Sequence, residues 1–369
     1  MLKRIYIDNY KSLVNFDQKL GPINLFLGPN GSGKSTVFEV LRKIRSIVNG
    51  ESRVSDEFPF ESRTRWQTSL IQTFELEIAK DDHTYQYELS IEYSDKEKTA
   101  HIKHERLWLD KNPLLQVEAQ KAHLYKEDFS EGSSFPFDWN RSVIDFIPLY
   151  NPWITSFKIC MNEMLIVQIN PWLIGDASDR EEPYPSQWLD NYSSWYRYLS
   201  RDQGWVLELT DALKEALPGF EYFRFVEAGE KVSILRSVFS SQGSGRASKK
   251  EFRFGELSDG QRALIILYTL LIAARKENYV LCIDEPENFL ALPEIQPWLI
   301  DLYDLCMDEK AQGLIISHHP EMINYLLASP VGYWFERQEN QATRVKPIMA
   351  EKNGGLSISE LIARGWLHE

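Results

Sequence analysis

The stretch Gly28-Pro29-Asn30-Gly31-Ser32-Gly33-Lys34-Ser35, followed by Thr36, matches the pattern G-x-x-x-x-G-K-[ST] at every fixed position. The apolar run 23–27 before it predicts a buried strand, and apolar residues recur at helical spacing over 37–48 after it. Glycines let the backbone turn its amide groups toward a phosphate, and a helix N-terminus adds a positive dipole end. This stretch therefore predicts a phosphate-binding loop between a strand and a helix.

The loop residues have predicted parts in nucleotide binding. Lys34 is expected to reach the β- and γ-phosphates of ATP, and the hydroxyl of Ser35 is expected to ligate Mg²⁺. The other predicted nucleotide contacts in this stretch are Asn30, Gly31, Ser32, Gly33 and Thr36.

Composition predicts a globular protein of the cytoplasm. The chain has 369 residues, 43% of them hydrophobic, which is enough for a large core and about two domains. No uncharged apolar window approaches the roughly 18 residues of a membrane span, and the chain opens in an alternating strand rather than a signal peptide. The cysteines are too few for a disulfide framework and too far apart for a metal site, and are interpreted as buried thiols: Cys160, Cys282 and Cys306.

The charge balance argues against a surface that is basic throughout. The formal net charge is −13, so contact with nucleic acid would require a local basic patch or a partner protein. The short basic clusters at 42–45 and 246–250 are more typical of solvated faces. His101 and His104 lie three apart on a predicted strand, so we expect them on opposite faces and not as a metal-binding pair.

The remaining patterns predict a mixed architecture. A strand over 2–10 is expected to lie beside the strand of the phosphate-binding loop, and residues 51–66 are expected to form a loop. The runs 70–78, 85–93 and 99–109 alternate with period two and predict an antiparallel meander, while 186–219 predicts a helical lobe. We expect an N-terminal lobe, a helical insert and a C-terminal lobe: 1–175, 176–250 and 251–369.

Further stretches contain candidate binding and catalytic residues. Leu257-Ser258-Asp259-Gly260-Gln261 precedes an apolar helix that Ser258 or Asp259 could cap, and by itself it is also compatible with an ordinary capped core helix. The apolar strand after that helix ends in Asp284 and Glu285. Asp284 is expected to hold Mg²⁺ and Glu285 to orient the attacking water, the alternative being two acids that stabilise a helix N-terminus. A later apolar strand, 314–317, ends at His318.

These stretches resemble, in chain order, four motifs of ABC-type ATPases. They are the P-loop at 28–35, the signature at 257–261, the Walker B motif ending at Asp284 and Glu285, and the switch histidine at His318. The runs Asn9-Tyr10-Lys11-Ser12 and Asp284-Glu285-Pro286-Glu287-Asn288 look like the RecF, chromosome-maintenance and OLD-type ATPases. The resemblance implies that His318, rather than His319, contacts the γ-phosphate. It also implies a head-to-tail homodimer in which Ser258, Gly260 and Gln261 of one subunit close over ATP bound to the other.

Some positions depart from the family pattern or stay open. Asp259 replaces a glycine of the signature and brings an acid near the γ-phosphate. The glutamine of the family's Q-loop is either Gln72 or Gln168, and its D-loop is expected near 288–292. The segment after His318, with a predicted hairpin over 333–346 and a helix from Ser357, is too short for the TOPRIM nuclease domain of OLD proteins.

The expected fold is an α/β ABC-ATPase head with a parallel or mixed P-loop sheet, an antiparallel β meander and a helical lobe. The expected function is an ATPase, with ATP and Mg²⁺, whose ATP-driven dimerisation controls a separate effector protein such as a nuclease in DNA maintenance or anti-phage defence. The alternative is a DNA-binding clamp or scaffold that holds ATP with little turnover.

Overall fold

The computed structural model describes residues 1–118, 120–147, 151–241, 248–318, 332–338 and 341–348. The chain divides into two compact units. The N-terminal unit comprises Met1–Met164 and Gly332–Ile348, and the C-terminal unit comprises Leu165–Val331 and Met349–Glu369. The predicted helix from Ser357 lies outside the described residues, and the three-lobe division stays a prediction.

The strands are, in chain order, β1 (Leu2–Asp8), β2 (Phe16–Lys19), β3 (Ile23–Leu27), β4 (Ile71–Lys80), β5 (His83–Tyr93), β6 (Ala100–Leu109), β7 (Asn112–Glu118), β8 (Lys121–Tyr125), β9 (Glu131–Pro136), β10 (Met164–Gln168), β11 (Ala177–Ser178), β12 (Phe220–Glu227), β13 (Ser233–Ser241), β14 (Ser248–Arg253), β15 (Val280–Asp284), β16 (Gln312–Ile316), β17 (Gly332–Glu336) and β18 (Arg344–Ile348).

The helices are α1 (Lys34–Val48), α2 (Val54–Glu57), α3 (Val143–Phe146), α4 (Pro152–Asn162), α5 (Tyr192–Leu199), α6 (Gln203–Ala216), α7 (Asp259–Glu277) and α8 (Leu292–Met307), with short 3₁₀ turns at Phe60–Ser62 and Phe254–Glu256. Residues 51–66, expected as a plain loop, therefore contain α2 and a 3₁₀ turn. None of the helices in the described part of the chain is long and apolar enough to cross a membrane.

An antiparallel sheet dominates the N-terminal unit. Its strand order is β2-β1-β4-β5-β6-β7-β8-β9, and β4 alternates between buried and half-exposed residues as the period-two pattern predicts. The predicted meander of β4, β5 and β6 is confirmed. Strands β7 to β9 continue it where sequence signals were weak, since β9 is almost fully exposed and has no apolar alternation to detect.

The opening strand has different neighbours from those predicted. β1 pairs with β2 and β4 in this antiparallel sheet and not with β3. Alternation of apolar and polar residues predicts a strand, but it does not predict which strands will be its neighbours in a sheet.

A β-bulge overturns the prediction for the two histidines of β6. His104 pairs with Ser90, whereas Ile102 pairs with Ile91, so one residue of β6 is left over between them. His101 then pairs with Glu92. Because Ser90 and Glu92 are two residues apart on one strand, His101 and His104 lie on the same face of the sheet.

The other face of β6 buries a carboxyl group. Glu105 has no solvent exposure and accepts hydrogen bonds from the Tyr87 hydroxyl at 2.9 Å, the Ser142 hydroxyl at 2.5 Å and the Val143 amide at 2.8 Å. Burial raises the pKa of Glu105 above its usual value, since the loss of hydration outweighs these three donors.

The phosphate-binding loop rises from a second, mixed sheet of the N-terminal unit. All five residues of β3 are buried, and β3 runs parallel to β17, which pairs antiparallel with β18. The predicted hairpin is confirmed by the pairs Trp334–Lys346 and Phe335–Val345. A buried strand in a sheet that contains both parallel and antiparallel pairs agrees with the predicted P-loop sheet.

In the C-terminal unit, β15 lies beside β10 and pairs in parallel with β16, from Val280–Gln312 to Asp284–Ile316. Helices α5 and α6 form the predicted helical region, and a separate sheet joins β11, which precedes them in the chain, to β12, β13 and β14, which follow them. The indole of Trp298 on α8 is fully buried and donates to the Leu267 carbonyl of α7 at 2.8 Å, which fixes α8 against the helix that begins at the signature.

Candidate functional site

Three glycines set the path of the phosphate-binding loop. Gly28, Gly31 and Gly33 have φ angles of 140°, 76° and 103°, in the left-handed region that side chains rarely adopt. A Cβ at Gly28 would lie 2.1 Å from the Phe335 carbonyl oxygen, and one at Gly33 would lie 2.7 Å from Thr343 Oγ1. Gly33 is also the N-cap of α1. Glycine is therefore required at Gly28 and Gly33 for two reasons: the left-handed φ angles of the loop, and the lack of space for a Cβ.

Lys34 is positioned by the same loop. Lys34 is only 4% exposed, and its Nζ donates to the carbonyls of Gly28 at 2.8 Å and Pro29 at 3.0 Å. A Cβ at Gly31 would meet nothing within 4 Å, and Ser35 is exposed. A nearly buried ammonium bound to neutral carbonyls, next to open space at a helix N-terminus, is a suitable partner for a phosphate group.

Two residues outside the motif support the loop from behind. The Thr343 hydroxyl donates to the Ser32 carbonyl at 2.8 Å and lies 2.9 Å from the Ser12 hydroxyl. The amide of Thr343 also donates to the Ser12 carbonyl at 2.8 Å. In the sequence, Ser12 stands in a family-like run, and Thr343 has no motif that predicts this role, because the contact joins residues 331 positions apart.

The run that contains Ser12 also holds α1. The Tyr10 hydroxyl donates to Glu39 Oε1 at 2.9 Å, and Lys11 forms an ion pair with Glu39 Oε2. Burial, with the nearby Glu39, raises the pKa of Tyr10, so the phenol remains a donor. The turn after β1 therefore fixes the helix whose first residue is Lys34.

In the C-terminal unit, the ends of β15 and β16 bring an acid and a histidine together. The Glu285 amide donates to the Ile316 carbonyl at 2.9 Å. Its carboxylate accepts from Asn288 Nδ2 at 2.7 Å on one oxygen and lies 3.4 Å from His318 Nε2 on the other. Glu285 has a φ of 52°, an unfavourable conformation for this residue that is typical of functional sites. His319, weighed against His318, lies outside the described residues.

Glu287 fastens the strand end that carries His318. Its Oε1 accepts from the Ser317 hydroxyl at 2.6 Å and from the His318 amide at 3.3 Å. Glu287 belongs to the family-like run 284–288, and its role is not predictable from the sequence. Its position two residues after Glu285 is the only hint of a role in the sequence. Its partners, Ser317 and His318, come close only through the pairing of β15 with β16.

The signature stretch caps α7. The Ser258 hydroxyl accepts from the Gln261 amide at 3.2 Å, and Gln261 Oε1 accepts from the Ser258 amide at 3.0 Å. This capping box confirms Ser258 as the N-cap. Gly260 lies against the loop after Glu285, where a Cβ would be 3.0 Å from the Phe289 carbonyl oxygen.

Two family models match the chain. One, described as an AAA ATPase domain, matches residues 1–135, and the other, described as an AAA domain of a putative AbiEii toxin in a type IV toxin–antitoxin system, matches 206–324. An OLD nuclease of Thermus scotoductus is 42% identical over 41 residues, which span 11% of this chain and 8% of that nuclease.

Solved structures agree in fold. The SMC head domain from Thermotoga maritima superposes with a TM-score of 0.51 at 13% identity, covering 94% of this chain and 98% of that one. An Smc head with coiled coil and joint from Pyrococcus yayanosii gives a TM-score of 0.51 at 10% identity, with 99% of each chain covered. Together, the two family models, the OLD nuclease match and these folds support an ABC-type AAA ATPase of the RecF, SMC and OLD group.

The two candidates for the Q-loop glutamine have different surroundings. Gln72 is fully buried, donates to the Asn9 carbonyl at 2.9 Å and accepts from the Tyr93 hydroxyl at 2.6 Å. Its amide is therefore committed to the antiparallel sheet. Gln168 stands at the C-terminal end of β10, beside β15, so it remains the candidate.

The predicted magnesium site would need few protein ligands. Among the described residues, no group of three or more His, Cys, Asp or Glu side chains could hold a metal ion by itself. Mg²⁺ usually keeps several waters and takes one or two protein oxygens together with substrate phosphates. Ser35, the predicted ligand in the N-terminal unit, is exposed, and Asp284, the predicted ligand in the C-terminal unit, is half-exposed; both stay predictions.

Proposed function

We propose that this protein binds and hydrolyses ATP with Mg²⁺ and that ATP joins two copies of it, so that its nucleotide state controls a separate effector in DNA maintenance or anti-phage defence. The observation that carries the proposal is the P-loop itself. Lys34 Nζ is held 2.8 Å from the Gly28 carbonyl in a loop whose glycines adopt left-handed angles.

Hydrolysis is supported by the arrangement around Glu285. A carboxylate that orients an attacking water needs a fixed rotamer and no permanent counter-cation. Asn288 fixes one oxygen at 2.7 Å with a neutral amide. His318, 3.4 Å from the other oxygen, is placed by Glu287 through the His318 amide and the Ser317 hydroxyl. Bound Mg²⁺ would neutralise phosphate charge, with Ser35 and Asp284 as its proposed protein ligands.

Glu285→Gln tests hydrolysis. The variant keeps a carbonyl that can accept from Asn288 but loses the carboxylate, so we expect phosphate release to fall by roughly 10²-fold or more while ATP affinity is retained. Glu294→Gln is the matched control, since Glu294 is an exposed acid of the same unit that caps α8. Unchanged phosphate release in Glu285→Gln would contradict the role of Glu285. Unchanged biological output with abolished release would favour the scaffold that holds ATP.

Ser258 tests the dimer. In the proposed dimer the end of α7 closes over ATP bound to the other copy, so Ser258→Arg should abolish ATP-dependent dimerisation in light scattering while each monomer still binds ATP. Ser258→Asn keeps a capping oxygen and separates loss of the cap, worth about 1 kcal/mol, from steric blocking. Equal dimerisation of Ser258→Arg and the wild type would refute this arrangement.

The effector and the compartment are proposals of wider scope. The three cysteines are buried free thiols, which suits a reducing cytoplasm. With a net charge of −13, we expect a protein partner rather than nucleic acid to make the main contact. Co-purification of Glu285→Gln with ATP, compared with Lys34→Ala, should enrich the effector only in the first variant. Identical partners in both would remove nucleotide control from the proposal.

A further inference from the structure

The signature acid Asp259 is paired within its own chain. Asp259 Oδ1 forms an ion pair with the Arg262 guanidinium one turn along α7, and Oδ2 accepts from Trp172 Nε1 at 3.1 Å. An unpaired carboxylate at the start of α7 would repel an approaching triphosphate. Both oxygens of Asp259 instead have a donor, and one of these donors carries a full positive charge.

Arg262 is placed so that this pairing persists. Its side chain is 11% exposed, against 37% for Asp259, so the cation is screened less by water than in a surface pair. A second guanidinium nitrogen donates to the Pro171 carbonyl. Because two partners from different segments hold the guanidinium, little side-chain freedom remains to be lost in keeping it at Asp259.

Trp172 is fixed by contacts rather than by burial. It is 71% exposed, yet its indole donates to Asp259 and its ring meets Phe289 edge-on, with ring centroids 5.9 Å apart. Phe289 is in the loop after Glu285, whose backbone also lies against Gly260. Trp172 therefore links the segment that follows β10 to the signature and to the loop after β15.

We propose that Arg262 is a positioning residue that neutralises Asp259, with Trp172 holding the second oxygen, so that the signature end of α7 can accept the triphosphate bound to a second copy of this chain. The inference rests on the proposed ATP-dependent dimer. It explains how a signature with an acid in place of glycine remains compatible with closure over an anion: the acid is an internal partner of Arg262, not an uncompensated charge.

The test is a charge-rescue cycle, measured as the dimer dissociation constant with saturating ATP at low and high salt. Arg262→Gln leaves Asp259 uncompensated and should weaken the dimer on the order of tenfold at low salt, with a smaller loss at high salt. Asp259→Asn in the same chain removes the acid and should restore the dimer to within about twofold of the wild type. Arg262→Lys keeps the charge and should resemble the wild type. Thermal unfolding of each variant checks that it is folded.

The outcomes separate the possible failures. If Arg262→Gln loses affinity equally at all salt concentrations and Asp259→Asn does not restore it, Arg262 acts by packing and the inference is wrong. If Arg262→Gln dimerises like the wild type, the charge of Asp259 is irrelevant to closure and the inference is again wrong. If the wild type itself fails to dimerise with ATP, the proposed function fails first and this inference falls with it.

Discussion

Replacing Lys34 with alanine should weaken ATP binding about a hundredfold. Lys34 is 4% exposed and its ammonium donates to two loop carbonyls, at 2.8 and 3.0 Å, so the ammonium is preorganised for a phosphate and loses little freedom when one binds. Hydrogen bonds to charged groups contribute about 1.5–3 kcal/mol each. Loss of one such bond together with the charge of the ammonium amounts to about 3 kcal/mol, which is roughly a hundredfold in dissociation constant.

Calorimetric titration and ATP-induced thermal stabilisation measure this loss. At an ATP concentration about 100 times the wild-type dissociation constant, ATP should stabilise the wild type by about 2.7 kcal/mol and Lys34→Ala by only about 0.4 kcal/mol. Lys43→Ala is the matched control, because Lys43 lies on the same helix, is 9% exposed and is paired with Glu57. That variant should unfold at a lower temperature yet keep the full ATP-induced increase. Lys34→Ala with an ATP affinity within about threefold of the wild type would refute the assignment.

Three further predictions concern stability. Gly28→Ala should lower the free energy of unfolding by about 3 kcal/mol or more, because its Cβ would lie 2.1 Å from a backbone oxygen. Gly229→Ala, with φ of 108° and no atom within 4 Å, should lower it only by the backbone strain of about 1–2 kcal/mol. Equal losses of stability in urea unfolding would contradict the steric explanation. Because burial raises the folded-state pKa of Glu105 above its usual 4.5, folding takes up a proton and wild-type stability falls as pH rises through the folded pKa. Glu105→Gln should therefore gain stability relative to the wild type above about pH 4.5, by at most about 1.4 kcal/mol per pH unit, and a constant difference across pH would refute this. Trp298→Phe should lower the free energy of unfolding by about 1–3 kcal/mol, because it removes this buried hydrogen bond to the Leu267 carbonyl and part of the indole packing. Thermal unfolding that matched exposed Trp172→Phe would show that the hydrogen bond contributes little.

Sequence reasoning was most successful where the determinants are local. The P-loop glycines, the start of α1 and the Ser258 cap each depend on residues within a few positions of one another, so their chemistry is written in one short stretch. The strands β4 to β6 and the hairpin of β17 and β18 followed from alternation of apolar and polar residues. Conversely, β9 has almost no buried residue and therefore no such pattern.

The tertiary structure decided which distant residues meet. Thr343 supports the P-loop residue Ser32 from 311 positions away, and Trp172 reaches Asp259 across 87 positions. Neither residue has a motif, because a hydroxyl or an indole becomes a specific partner only when folding brings a matching group within hydrogen-bond distance. The same holds for the placement of β1 beside β4 and for the bulge at His104. The sequence by itself determined the chemical groups of this ATPase and their local conformation; long-range strand pairing and burial decided which of those groups are held, neutralised or left available for a ligand.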